Sequence, residues 1–315
     1  MRSRNIFVIV VLVLLVFVSG CAGNARTEEG DVNFRTGSQG LEMRLLDGNP
    51  PYIVYEHDIL PISVELFNRG TSPIWDAELY ITGFDPNIIN NNLGSYPPGN
   101  LPSYGTPYPF TIDEAKNQFN REGGYEILEF NSGEISFANV QGLTTYEIPL
   151  VVYACYLYET LASTKICVDP EPHRTYSDKP CITQDASFGG GQGAPVSVSH
   201  VNVVNMRDSI RLTFTINNVG GGTIVDPYAY FDGKCPTGFS PADIDVVYMD
   251  YAKLGTMVMT DCTPNGRIKL NNGFGRVSCT APIGGTTAFT TPVEVKLGYA
   301  YKDYIRKNIQ IRGYD

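Results

Sequence analysis

One stretch of this chain occurs twice, and that repetition limits the fold more than any other feature. Ile62 to Pro86 reads ISVELFNRGTSPIWDAELYITGFDP, and Leu212 to Pro236 reads LTFTINNVGGGTIVDPYAYFDGKCP. At a constant offset of 150 they share Asn68/Asn218, Gly70/Gly220, Ile74/Ile224, Asp76/Asp226, Tyr80/Tyr230, Gly83/Gly233 and Pro86/Pro236 without a gap. Each copy opens with apolar residues at every second position: Ile62, Val64 and Leu66, then Leu212, Phe214 and Ile216. Ser63, Glu65, Thr213 and Thr215 lie between them. A period of two is that of a half-buried strand, with the intervening residues facing outward. An Asn-x-Gly turn and a second alternating run follow, so each copy predicts strand, turn, strand.

A second likeness extends the repeat. At an offset of 146, Thr144-Thr145, Tyr153-Ala154 and Tyr158 match Thr290-Thr291, Tyr299-Ala300 and Tyr304. In the first copy this region predicts a closing hairpin, with one arm over Thr145 to Tyr158, a turn near Leu161-Ala162-Ser163 and a return arm around Lys165 to Val168. The chain thus reads as all-β, with two tandem sandwich domains over 40–182 and 196–315. The glycine-rich 183–195 is the expected linker between them. It leads through Pro195 into strand-like sequence, whereas a phosphate loop opens a helix.

The N-terminus is a targeting segment. Arg2 and Arg4 precede thirteen apolar residues, Ile6 to Val18, and Val18-Ser19-Gly20-Cys21 closes the run with small residues. Thirteen helical residues span about 20 Å, short of a roughly 30 Å hydrocarbon core. Residues 1–20 are therefore expected as a signal peptide ending in a lipoprotein box, with Cys21 the lipidated new N-terminus and 21–39 a flexible tether. An uncleaved signal anchor helix and simple secretion are the alternatives. All three put the bulk of the chain outside the cytoplasm, and the first two hold it on the extracellular face of the cell membrane. The formal charge of −10 becomes more negative when the two leader arginines are lost. That argues against nucleic acid as a partner.

The stretch 84–124 is of another character. Tyr96, Tyr104, Tyr108 and Phe110 are spaced among prolines and glycines, and Thr111-x-x-Glu114 predicts a capping box starting a helix through about Asn120. A loop this long is a candidate contact surface for a glycan or a protein, since tyrosine offers area with little entropy to lose. The alternative is a loop that folds back and buries the same rings.

Beyond Cys21 there are six cysteines: Cys155, Cys167, Cys181, Cys235, Cys262 and Cys279. An even number in an exported chain argues for disulfides. Cys155 with Cys167, and Cys262 with Cys279, flank predicted hairpins and suit pairing. With three cysteines on each side of the linker, full pairing demands at least one bridge between the halves.

No catalytic constellation is present in the sequence, which lacks a Gly-x-Ser-x-Gly elbow, a His-Glu-x-x-His pair and a Walker loop. His57 and Asp58 are adjacent, but neighbours on an extended chain point to opposite faces. No zinc spacing occurs and no cofactor is expected. Asp243, Asp245 and Asp250, and Asp76, Glu78 and Asp85, are acidic groups of the kind that binds Ca²⁺ between β domains, or they are solvent faces of strands.

The pattern Val64-Glu65-Leu66-Phe67-Asn68-Arg69-Gly70 through Thr82-Gly83, repeated as Phe214-Thr215-Ile216-Asn217-Asn218-Val219-Gly220 through Asp232-Gly233, resembles the core of CARDB-type domains. These are immunoglobulin-like modules found in tandem on bacterial and archaeal surface proteins. The whole chain is also similar to uncharacterised two-domain exported proteins of small-genome archaea. The resemblance implies a non-catalytic surface module with structural, adhesive or envelope-assembly duties, and it carries over no active-site residue.

Overall fold

The computed structural model describes residues 34–89, 101–140, 142–174 and 179–313; the expected signal peptide, Cys21 and Tyr96 lie outside them. Phe34 onward forms one compact unit. In the first copy the strands are β1 (Leu41–Leu45), β2 (Ile53–Tyr55), β3 (Ile59–Asn68), β4 (Ile74–Thr82), β5 (Tyr108–Ile112), β6 (Tyr125–Glu134) and β7 (Thr145–Val168). The second begins with β8 (Ala186–Ser187), β9 (Val196–Asn205), β10 (Ser209–Asn218) and β11 (Thr223–Val225), followed by the short helix α1 (Pro227–Phe231). It continues with β12 (Val246–Leu254), β13 (Met257–Val258), β14 (Asp261–Thr263), β15 (Arg267–Lys269), β16 (Phe274–Pro282) and β17 (Phe289–Arg312). The fold is nearly all β, as the alternation requires.

Three sheets result. A three-stranded sheet runs β1-β3-β6 and a five-stranded one β14-β16-β10-β9-β8. The third runs β13-β12-β17-β7-β4-β5, with β11 and β2 also on β17 and β15 on β12, and draws strands from both copies. At its centre β7 and β17 pair antiparallel along their whole 24 residues, from Phe289 opposite Val168 to Arg312 opposite Thr145. Such strands are about 80 Å long at 3.3 Å per residue. The expected closing hairpin is therefore replaced by one strand. Leu161-Ala162-Ser163 has no glycine, proline, asparagine or aspartate to break it, and the alternating burial runs straight through.

The central pair also corrects the repeat offset. On the inner face of the shared sheet, the Tyr158 hydroxyl donates to Asn68 Oδ1 (3.2 Å) and accepts from the Ser72 amide (3.3 Å). The Tyr301 hydroxyl does the same with Asn218 Oδ1 (3.1 Å) and the Gly222 amide (2.8 Å). Tyr156 accepts from Leu41, which begins β1, and Tyr299 from Val196, which begins β9. The counterparts are thus Tyr156/Tyr299 and Tyr158/Tyr301, an offset of 143 and not 146. The reason is the period of the sheet. Tyr158 is buried, whereas the residue matched to it at 146, Tyr304, is 60% exposed. With the offset of 143, Leu157 stands opposite its own counterpart Ala300, so the two copies meet about a local two-fold axis.

The four tyrosines stack edge-on or tilted against one another, with ring centroids 5.8 to 6.4 Å apart. They tie the shared sheet to the two smaller sheets, which both pack on its inner face. Ile62, Val64, Leu66, Leu212, Phe214 and Ile216 are fully buried there. Ser63, expected outward, is buried too, because the turn at Asn49 folds over it and Asn49 Nδ2 donates to its hydroxyl at 2.6 Å.

Other expectations change. Residues 183–195 are built into the fold: β8 pairs with β9, and the buried Gln192 donates to Gly189 and accepts from the Val198 amide. The helix expected over Thr111 to Asn120 does not form. Ile112 pairs with Ile74, and the Glu114 carbonyl is taken by Asn68 Nδ2 and the Gly124 amide. After this loop β6 runs unbroken from Tyr125 to Glu134, with a register shift opposite Ile59 and Pro61. In the second copy the second strand stops at Val225, because Pro227 cannot continue the ladder and starts α1 instead.

Three disulfides fix the arrangement. Cys262 and Cys279 are register partners on β14 and β16 and are bonded, as expected. Cys155 bonds Cys235 and Cys167 bonds Cys181. A Cys155–Cys167 bond is excluded: twelve residues along one extended strand separate them by about 40 Å. Cys155–Cys235 is the bridge between the halves that parity demanded.

Candidate functional site

The outer face of the shared sheet carries a cleft of about 420 Å³ where the two copies adjoin. Four local departures from regular β structure converge on it. The first is in β4, where Ile74 pairs with Ile112 and Ala77 with Phe110, leaving one residue too many on β4. This bulge puts two successive side chains, Trp75 and Asp76, at the surface between the buried Ile74 and Ala77. Trp75 is the only tryptophan in the chain and is 69% exposed.

The second departure is a bulge in β12. Met249 pairs with Leu297 and Tyr251 with Lys296, so Asp250 is the extra residue. The third is Gly298 in the middle of β17, opposite Glu159 on β7 and Tyr248 on β12. Its backbone is ordinary for a strand, and a Cβ there would meet nothing closer than the Asp250 carboxylate at 3.4 Å. The missing side chain is needed by neither backbone nor packing, and it leaves the cleft floor open. A glycine inside a strand commonly marks such a close approach.

The fourth is α1. The buried Asp226 caps it, accepting from the Tyr228 amide at 3.0 Å, and also accepts from Arg267 Nε at 3.3 Å and the Tyr248 hydroxyl at 3.5 Å. The helix presents Tyr228 and Phe231, 67% and 64% exposed, and Tyr228 meets Tyr248 edge-on at 5.5 Å. Its buried side packs Ala229 and Tyr230 onto the sheet, beside Tyr80 and Tyr153 stacked at 4.8 Å and the Cys155–Cys235 bond.

Acidic groups border these rings. Asp76 accepts from the Tyr230 hydroxyl at 3.2 Å, and among the described residues no ion pair engages it. Lys296 lies 2.8 Å from Glu159 and 3.6 Å from Asp250. Partial burial pushes the Asp250 carboxyl above the usual carboxylate range, against the pull of Lys296 and with the help of Glu159. The Glu159 carboxylate raises the Lys296 ammonium. The cleft therefore has aromatic walls, a bare floor and more negative than positive charge. Among the described residues its lining includes no imidazole or thiol, and the Tyr230 and Tyr248 hydroxyls are engaged with Asp76 and Asp226; rings and carboxylates placed this way can hold a ligand.

The aromatic contact residues singled out in the sequence fall elsewhere. Phe110 is 7% exposed and belongs to the core, and Tyr108 packs edge-on to Phe130 at 5.1 Å. Of the candidates among the described residues only Tyr104 is exposed, at 53%, resting edge-on against Phe84. The 101–112 segment thus folds back as an added strand, and Phe110 has no surface to offer. His57 and Asp58 form no dyad: His57 Nδ1 lies 2.6 Å from Glu134, which raises the imidazole, and Asp58 accepts from the Tyr55 amide.

Among the described residues no group of three or more His, Cys, Asp or Glu is arranged to hold a metal. Asp243 accepts from Ser240 and pairs with Lys234, whereas Asp85 accepts from Asn87 and Glu78 from the Tyr80 hydroxyl. Of the cleft residues, Asp76 and Asp250 stood out in the sequence only as acidic groups, whereas Trp75, Tyr228, Phe231 and Gly298 were missed. The one signal available was a lone tryptophan beside an aspartate at the repeated position, since the bulges that expose them exist only in the paired sheet. No protein-family model matches this chain, and no curated protein matches it either.

Proposed function

We propose that the chain is a non-catalytic binding component of the cell surface, anchored at its N-terminus, that holds a partner protein of the envelope in the Trp75–Tyr228–Phe231 cleft. In this reading the two halves are immunoglobulin-like modules fused through a shared sheet, resembling the CARDB type, and Cys21 carries the lipid anchor. One observation carries the proposal: three large aromatic side chains, each about two-thirds exposed, surround a floor that a mid-strand glycine keeps clear. Leaving that apolar surface in water is unfavourable by about 25 cal/mol per Å², so covering it is a driving force for association. Exposed aromatic rings on a rigid sheet are also the usual anchors of an interface.

Photo-cross-linking in intact cells tests this, with the reactive residue placed at 228 and, as a control, at Tyr52, which is 64% exposed and lies beside Gln310, about 40 Å along β17 from Gly298. A discrete protein adduct from 228 and none from 52 is the expected result. Adducts equally from both positions, or from neither, would overturn the reading.

A further inference from the structure

We infer that the cleft receives an arginine side chain from an exposed segment of its protein partner. The inference rests on the cleft being the partner-binding surface, and it adds the chemistry of the group that enters.

The argument is one of charge and shape. The rings of Trp75, Tyr228 and Phe231 present π faces and edges, and a cation is drawn to the face of an aromatic ring, to tryptophan most strongly. A purely apolar guest would gain from the rings but would strip water from Asp76, Asp250 and Glu159 without replacing its hydrogen bonds. Lys296 serves two of those three carboxylates, and Asp76 has only the neutral Tyr230 hydroxyl. Three carboxylates against one ammonium leave an excess of negative charge, and a further cation gives Asp76 an ionic partner.

A guanidinium suits it better than an ammonium. It is planar, stacks on an indole and gives paired N–H donors to a carboxylate, whereas lysine offers a point charge with a tighter water shell. The bulge in β4 places an aromatic ring and a carboxylate at adjacent positions, 75 and 76, which is the pair of groups that one stacked and hydrogen-bonded guanidinium uses. The formal charge of −10 on the chain steers such a partner toward it.

Trp75 supplies the readout, because as the sole tryptophan it accounts for all indole emission. The full chain, purified in detergent, is titrated with the peptide Ala-Arg-Arg-Ala amide, with its citrulline counterpart (same shape, no charge), with Ala-Lys-Lys-Ala amide and with maltotriose. The expected result is a saturable change in emission with the arginine peptide, with about tenfold weaker binding for citrulline and weaker binding for lysine. Gly298→Leu fills the floor without altering charge and should abolish the change. Asp76→Asn, at an exposed position that leaves the fold intact, should weaken binding several-fold and reduce its dependence on salt.

Equal binding of the citrulline peptide, or binding that Gly298→Leu and Asp76→Asn leave untouched, would overturn the inference. Saturation by maltotriose alone would do so in favour of a glycan. No response to any probe, with the cross-link from position 228 retained, would sink the arginine while leaving the protein-binding reading standing. Loss of the cross-link as well would sink both.

Discussion

Tyr158 and Tyr301 occupy the same place in the two halves of the molecule, each donating a hydroxyl hydrogen bond to the asparagine Oδ1 of an Asn-x-Gly turn, Asn68 at 3.2 Å and Asn218 at 3.1 Å. Each asparagine then donates through Nδ2 to the carbonyl four residues on, Ser72 and Gly222. The glycine of each turn is required by contact, since a Cβ on Gly70 or Gly220 would overlap the tyrosine hydroxyl. Asparagine, glycine and a distant tyrosine are thus one device, used twice, that fastens a turn to the shared sheet.

Removing one hydroxyl measures the device. Tyr158→Phe leaves the buried Asn68 oxygen one donor short and the Ser72 amide without its acceptor, at a cost of about 1–3 kcal/mol. Tyr301→Phe should cost a similar amount. Denaturant midpoints check this, and the cycle of Tyr158→Phe with Asn68→Ala should show a coupling of about 1 kcal/mol or more. Gly70→Ala should be worse than either single change, because the turn must move away from the ring.

High pH attacks the same four rings. Burial raises Tyr156, Tyr158 and Tyr299 well above the ordinary phenol, and Tyr301 is pushed up to about 12. In the unfolded chain these phenols lose their protons near pH 10, as exposed tyrosines do. Above that pH the unfolded state holds fewer protons than the folded one, so stability is intact below pH 10 and falls between 10 and 12. Near-ultraviolet circular dichroism should show cooperative unfolding in that window. A smooth titration of every tyrosine near pH 10, with the fold retained, would contradict it.

The bond between Cys155 and Cys235 closes a loop of 80 residues and joins the shared sheet to the segment following α1. Loop-closure entropy gives about 4 kcal/mol for a ring of this size. The paired variant Cys155→Ala/Cys235→Ala should therefore lower the denaturant midpoint more than loss of Cys167–Cys181, which spans 14 residues. The comparison is of non-reducing unfolding curves. A larger effect from the small ring would show that native packing, and not chain entropy, dominates.

Alternation of apolar residues made β3 and β10 legible, down to the residues they bury, because half-buried strands carry their pattern in the sequence. The shared sheet was less so. Its two long strands are buried on one face and partly covered on the other, which blurs the period, and the tyrosines of Thr145–Val168 and Phe289–Arg312 match by type at more than one offset. The hydrogen bonds that Tyr158 and Tyr301 donate to Asn68 and Asn218, with those that Tyr156 and Tyr299 accept, choose among those offsets. The cleft was least legible of all. Trp75 reads as an ordinary strand residue until the extra residue in β4 turns it outward, and Gly298 reads as a weak point until Asp250 is seen above it.

Asp76 and Asp226 are identical in the repeat and should respond differently to the same change. Asp226 is buried, caps α1 and takes the Arg267 and Tyr248 donors, so Asp226→Ala removes a helix cap and leaves the Tyr228 amide and Tyr248 hydroxyl short of an acceptor. Loss of a cap of this kind costs about 1–2 kcal/mol, and Tyr228 and Phe231 lose their fixed positions with it. Asp76 is exposed at a bulge, where water can take its place at the Tyr230 hydroxyl, so Asp76→Ala should change stability by less than about 0.5 kcal/mol. Both variants should weaken the cross-link from position 228, but only Asp226→Ala should also lower the denaturant midpoint. Equal stability losses would mean that the two aspartates kept one structural role after duplication. Unequal losses place the divergence where α1 replaces a strand, which is also where the second copy supplies one wall of the cleft.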